Sequence, residues 1–517
     1  MSDQKPLTMI GEQFEIDNDK QKIICLIDNK LFVVKGAVGS PFVLSFISRI
    51  KRNGIAPNVI ETTPEVVKSK YTAYENDKTK TSTQNQFTLL VEDAVKKGAS
   101  DIHIRCTENK GTTILFRIDG DLSIQMDNDK DYEYGYSLAS TIYQALTDVS
   151  DSTFEPKRAQ DARISNENSQ LPNQLHGIRI GTSAQTGGFV MVLRLLYKTT
   201  SNQSFLDMGL LPNEIEALEL LLHSPTGITL VSGPTGSGKT TLLTSILEKR
   251  YKDTKGTKNL MTVEDPPEYP ILGAVQTPVE NADTQEERSE KFQKAIAATL
   301  RLDPDTMMIG EIRDAASAQL AIEAAMTGHQ VWSTIHVNTA LGILPRLIDL
   351  KVQKELVTDP TIVKGLINQR LIKKLCPKCK VPVVDVMDTL SQSQSKRISR
   401  ELDLQSVYLT GKGCEHCNHT GTKGRVAVVE VIVTDQHLMD LVRTNDIKGA
   451  LTYLRNEKDA TSLIEAAMKK IEEGIVDPFS AEEQVGPLSM KWVEADHKIT
   501  STEIHNDVGF DTDGGKL

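Results

Sequence analysis

The run Gly233-Pro-Thr-Gly-Ser-Gly-Lys-Thr240 constrains this chain more than any other feature. It follows an apolar stretch, Gly227–Ser232, and precedes a segment of helical pattern, Lys239–Tyr251. A glycine-rich turn ending in Lys and Thr at such a junction is a phosphate-binding loop. Glycines let the backbone wrap a phosphate with its N–H groups turned inward, and the helix N-terminus adds a favourable dipole. Gly233, Pro234, Thr235, Gly236, Ser237, Gly238, Lys239 and Thr241 are read as the cradle for ATP. Lys239 is placed to reach the β- and γ-phosphates, and Thr240 to ligate Mg²⁺. A glycine-rich turn with no ligand would need neither.

The region around this loop repeats strand then helix. Strands are expected at Asn259–Asp265, Thr306–Glu311 and Gln330–His336, with helices at Glu290–Leu300 and Ala315–Thr327. That alternation predicts a wound α/β sheet. In such sheets the carboxyl ends of the strands face the ligand. Glu311 follows the apolar run Met307-Met308-Ile309-Gly310 and is assigned to the attacking water, with Glu264 and Asp265 assigned to the metal and its water shell. The alternative is that one of them is a helix cap or a surface charge. His329 opens the last strand and His336 ends it. A histidine there can sense the γ-phosphate, although a lone histidine is more often a satisfied structural residue.

Four of the six cysteines form two pairs, Cys376-Pro-Lys-Cys379 and Cys414-Glu-His-Cys417, with 34 residues between them. Two such knuckles match a tetrahedral four-thiolate Zn²⁺ site, whereas a redox role suits one pair better than two. His416 and His419 are less favoured ligands. The connecting segment Asp388–Arg400 is polar, so metal is expected to substitute for a core. Cys25 and Cys106 stand alone and read as buried thiols.

At roughly 150 residues per domain, 517 residues predict about three units. Residues 1–80 form a small amino-terminal region, in which Ile23–Ile27 and Leu31–Val34 flank a hairpin turn. A polar linker is expected over Thr72–Gln86. Residues 81–200 read as an α+β unit: a helix at Phe87–Lys97, then strands at Asp101–Arg105, Thr113–Ile118, Gly177–Thr182 and Phe189–Leu196, with a helix at Tyr136–Leu146. The α/β unit spans 201–487, carries the zinc-binding insertion at 372–425, and leads into a polar acidic tail at 488–517. Lys plus Arg total 59 against 70 Asp plus Glu, a net charge of −11. This argues against sequence-independent nucleic-acid binding, though not against a local basic channel. No stretch approaches the roughly 20 apolar residues that span a bilayer. No signal segment is visible, so a cytoplasmic protein without direct membrane insertion is expected.

Together the motifs resemble the ATPases of type II secretion and type IV pilus assembly, from about Phe87 to about Val485. Gly98-Ala-Ser-Asp-Ile-His103, Arg117-Ile-Asp-Gly120 and Gln160-Asp-Ala-Arg163 are similar to amino-terminal signatures of that family, with Ala162 where the family has Gly. Thr262–Pro266 resembles its Asp box, Leu302–Asp314 its atypical Walker B and Gly328–His336 with Asn338 its His box, while Gly413–Arg425 resembles its second zinc knuckle.

The resemblance implies a homohexameric RecA-like motor preceded by a smaller PAS-like α+β domain. It also implies two arginines, matched by Arg179 and Arg194, that reach phosphate from that domain. The loop between them, Thr182–Gly188, departs from the family pattern, and surface arginines on strands are the alternative. The implied action is ATP hydrolysis at the inner membrane, through a platform protein that moves pilins or secretes. The closing motion hinges at Thr199–Ser204, and residues 1–80 act as a compact dock. The tetracysteine motif favours assembly or secretion over retraction. The rival from another class is a DNA-translocating RecA-like ATPase.

Overall fold

The structure, a computed structural model, describes residues 6–8, 13–68, 70, 82–147, 153–165, 171–198, 204–279 and 284–488. The expected linker up to residue 81, the connector residues 199–203 and the tail beyond residue 488 lie outside them. The chain divides into two compact units, Met1–Leu196 and Tyr197–Leu517.

The first unit holds two sheets. In the smaller, Ile24–Ile27 and Lys30–Val34 form the expected antiparallel hairpin, turning at Asp28 with φ 53°. The helix Pro41–Arg52 then crosses over to the strand Asn58–Thr62, which pairs in parallel with Lys30–Val34. Ser40 caps this helix and Pro41 occupies its first turn, a position that needs no N–H donor. Val43, Phe46 and Ile50 fall on one helical face and pack on Phe14, Ile24, Leu26, Leu31 and Val33.

The larger sheet has six strands in the order Asp121–Lys130, Gly111–Ile118, Ala99–Thr107, Gly188–Tyr197, Leu175–Gln185 and Gln160–Ser165. The helices Ser82–Lys96 and Tyr132–Ala145 pack on each other and on Ala99–Thr107. This is the expected α+β arrangement with two corrections. The segment expected as linker already turns helical at Ser82. The edge strand Asp121–Lys130 is not among the expected strands: Leu122, Ile124 and Met126 alternate along it, Leu122 and Ile124 are exposed, and its ladder to Gly111–Ile118 pairs it into the sheet.

The second unit is the wound α/β sheet. Its order is Ala274–Pro278, Leu260–Glu264, Thr306–Ile309, Gln330–Ile335, Gly227–Ser232, Val363–Leu375 and Thr422–Val433. The first six run parallel and the last is antiparallel to its neighbour. Alternate residues feed two cores. Ile228, Leu230, Met307, Ile309 and Val331 pack with the helices Gln285–Thr299 and Ala315–Met326. Val231, Met308, Trp332 and Ile367 pack with Pro212–His223 and Lys239–Asp253. Both faces are covered, so the central strands are buried along their length and show no polar–apolar alternation.

The insertion departs from expectation at its edges and in its interior. The flanking strands run to Leu375 and restart at Thr422, inside the span 372–425. Its polar segment forms the helix Gln392–Glu401, capped by Ser391. Ile398 of that helix, with Val383, Val407 and Leu409, joins an apolar cluster containing Ile372, Val428, Ala467 and Ile471. The insertion therefore has a core of its own, continuous with the sheet, and metal does not replace one.

Candidate active site

The loop Gly233–Gly238 crosses from the strand Gly227–Ser232 to the helix that starts at Lys239. Glycine is required at two points. Gly233 has φ 147°, and a Cβ there would lie 2.5 Å from the Gln369 carbonyl oxygen. Gly238, at φ 84°, would place one 2.8 Å from Gln369 Nε2. The Lys239 ammonium turns back over the loop and donates to the carbonyl oxygens of Gly233 at 2.9 Å and Pro234 at 3.0 Å. Burial lowers its pKa, and Glu311 and Glu268 oppose that shift. The Ser237 hydroxyl is buried in the loop with no protein partner among the described residues. Pro234, Thr235 and Gly236 are exposed, and Thr240 and Thr241 are half-buried in the first turn of the helix. An anion cradle with its lysine held over the loop is thus preformed.

Three strand ends deliver acids and a histidine beside this loop. Glu264 ends its strand almost fully buried, and its Oε1 accepts from Thr262 Oγ1 at 2.6 Å and Gln276 Nε2 at 2.9 Å. Burial raises its pKa, and these two donors work against the rise. Asp265 is paired with Arg288 Nε at 2.8 Å and Arg313 Nη1 at 3.2 Å. Glu311 meets Arg313 Nη2 at 2.8 Å and His336 Nε2 at 3.2 Å. Burial and the Lys239 charge lower the pKa of His336, while Glu311 pulls it upward.

One expected site residue is set apart. His329 precedes its strand, at the end away from the loop, where its Nδ1 bonds with Ala324 O at 2.9 Å and Thr327 Oγ1 at 3.2 Å. Within one chain it is a turn residue and does not reach the phosphate loop, because a six-residue parallel strand separates it from His336. Arg313, Arg288, Thr262 and Gln276 had no assigned role in the sequence. For Arg313 the signal was its place in the Glu311-Ile-Arg-Asp314 run. The partners Arg288 and Gln276 are brought in by packing alone.

In the first unit, Arg179 and Arg194 lie on its strands Leu175–Gln185 and Gly188–Tyr197. Arg179 is cross-strand from Arg163. Arg194 Nε donates to Asp101 Oδ1 at 3.1 Å, and Arg117 lies 3.7 Å from the other oxygen. Asp101 is buried and Arg194 is about half exposed, so a buried carboxylate orients a guanidinium that stays accessible at the surface of this unit.

The Sγ atoms of Cys376, Cys379, Cys414 and Cys417 all lie within 4.8 Å of one another. The pairs Cys376–Cys414, Cys379–Cys417 and Cys414–Cys417 are each 3.8 Å apart. Four thiolates at about 2.3 Å from a tetrahedral zinc would be about 3.8 Å apart. Backbone N–H groups of Cys414 and Gly421 point at Cys417 Sγ, both at 3.2 Å. The donor set fits Zn²⁺ without rearrangement. His416 and His419 are not in the cluster.

Residues 76–494 match the family model for the type II/IV secretion system protein. The chain belongs to that family. It is 32% identical over 388 residues to the type II secretion system ATPase E of Vibrio cholerae, covering 75% of this chain and 72% of that one. It is also 32% identical to the type IV pilus assembly ATPase PilB of Thermus thermophilus, covering 75% of this chain and 41% of that one. Its fold is that of the ATPase DotB of Yersinia pseudotuberculosis, with a TM-score of 0.53 at 20% identity, over 78% of this chain and 94% of that one. With an intact phosphate loop, this member of the family is an ATPase, a motor for secretion or pilus assembly. Among the described residues no helix is long and apolar enough to cross a membrane.

Proposed function

We propose that the chain forms a homohexameric ring that hydrolyses ATP to move pilin subunits or drive secretion at the inner membrane, through a membrane platform protein. The observation that carries this reading is the Glu311–His336 pair at the strand ends beside a lysine-gated phosphate loop. Glu311 orients the attacking water as general base. Lys239 leaves the two loop carbonyls for the β- and γ-phosphates, and Thr240 offers its hydroxyl to Mg²⁺. The bound Mg²⁺ supplies charge neutralisation across the phosphate oxygens. Glu264 and Asp265 order the water shell around it, and His336 senses the γ-phosphate through Glu311. Arg179 and Arg194 balance charge on the transferring group.

ATP binding and hydrolysis change the conformation of each subunit, and the ring converts that change into work on the platform. Residues 1–80 provide the dock. The four thiolates hold Zn²⁺, which braces the insertion. The test is made in the native host. Cells carrying Glu311→Gln should lose surface fibres or a secreted protein while the chain is still expressed, and the full-length wild-type chain should co-purify with an inner-membrane component. Normal fibres and normal secretion in that strain would refute the proposal.

A further inference from the structure

Asn368, Gln369 and Arg370 lie on the strand Val363–Leu375, beside the phosphate-loop strand, with Asn368 in register with Ser232. Successive strand residues point to opposite faces. Gln369 faces the loop, and its Nε2 donates to Ser237 O at 2.8 Å. Its backbone and amide also form the wall that excludes a Cβ from Gly233 and Gly238. Its neighbours address the chain that follows His336. Asn368 Nδ2 donates to Ser232 Oγ at 2.6 Å and Val337 O at 3.3 Å. Arg370 Nη2 donates to Asn338 O at 2.9 Å, and Nη1 donates to Asn368 Oδ1 at 3.0 Å. All three side chains are buried. Glu430, in register with Asn368 on the antiparallel strand, accepts from Ala340 N at 3.4 Å and supplies the countercharge to Arg370.

We propose that Asn368-Gln369-Arg370 is a two-sided positioning element for ATP hydrolysis, in which Gln369 shapes the phosphate loop while Arg370 and Asn368 hold the loop that carries His336. None of the three needs to touch nucleotide. They act through the carbonyls of Ser237, Val337 and Asn338, and a displacement of reacting groups by about 1 Å is enough to cost a hundredfold in rate. Because the two faces serve different loops, substitutions on them separate binding from turnover. The proposal rests on the ATPase reading, which activity of the wild-type chain tests on its own.

The experiment compares phosphate release and fluorescent-ADP binding in full-length variants, with thermal melts as the control for folding. Gln369→Met keeps the volume and removes the amide. It should raise KM for ATP and Kd for ADP by about fivefold or more, with kcat within about twofold. Arg370→Lys keeps a charge beside Glu430, but one ammonium does not replace a planar fork of donors. It should lower kcat about tenfold or more with Kd for ADP within about twofold. Removing one member of a buried charge pair endangers folding, so Arg370→Met with Glu430→Gln removes both, and the same split is expected. Unchanged kcat, KM and Kd in a folded variant on either face would overturn the proposal. So would proportional loss of binding and turnover on both faces, which is what a merely structural role produces.

Discussion

His336 Nε2 stands 3.2 Å from Glu311 Oε1, joining the ends of two adjacent parallel strands. The other oxygen of Glu311 is held by Arg313 at 2.8 Å. Both carboxylate oxygens thus have partners, and the group is aimed rather than free. Glu311→Gln keeps the shape and removes the base. It should lower kcat about 100-fold or more while ADP binding stays within about twofold. Phosphate release and equilibrium binding on the same preparation check this, and activity that survives the change would remove Glu311 from its role.

The same pair predicts a pH dependence. Burial and Lys239 hold the His336 pKa below its ordinary 6.5. The unfolded chain therefore takes up this proton before the folded chain does. Stability from the neutral imidazole is present above 6.5 and is lost as pH falls below it. The acid limb of kcat/KM should lie below the ordinary histidine range, and His336→Gln should abolish that limb. A pH–rate profile of both proteins decides the point, and an unchanged limb in the variant would assign it elsewhere.

Asp101 orients Arg194 from a buried position, so the arginine can be probed without disturbing a core. Arg194→Gln should reduce kcat about tenfold or more, with ADP affinity nearly unchanged, if its guanidinium meets phosphate in the transition state. Asp101→Asn should give a smaller loss. Equal kcat for Arg194→Gln and wild type would make this a surface ion pair.

The thiolate cluster should hold one zinc per chain. Cys414→Ser should lower zinc content and speed proteolysis within 376–425, while the phosphate loop still binds ADP. Metal analysis with limited proteolysis checks both outcomes. Full zinc content at wild-type affinity in Cys414→Ser would rule out the four-thiolate site.

Glu214 offers a stability test remote from the chemistry. Burial raises its pKa to about 7, although Leu211 N–H and nearby Lys470 lower it, and its Oε1 has no partner among the described residues. In the unfolded chain it ionises near 4.5. The folded chain therefore holds this proton longer, and the group's contribution is lost as pH rises from 4.5 through about 7. Glu214→Gln keeps an acceptor for Leu211 N–H and avoids the buried charge. Its melting temperature relative to wild type should rise between pH 5 and pH 8, by the equivalent of about 3 kcal/mol at most. A constant difference across that range would contradict the shift.

Local pattern was enough for much of this protein. Gly233–Thr240 announced the phosphate loop, because backbone wrapping of an anion demands those residue types in that order. Predominantly apolar stretches located the central strands, since a sheet covered on both faces buries successive residues, and two CxxC pairs located the thiolate cluster because metal geometry demands paired donors. The tertiary structure decided what local pattern cannot encode. The polar insertion gained a core because Ile398 and Val407 meet side chains far away in sequence. His329 and His336, seven positions apart and alike in kind, were sent to opposite ends of one strand. Arg313, Arg370 and Gln369 took their places because strands distant in sequence lie side by side, and a side chain's role depends on which neighbours that pairing supplies.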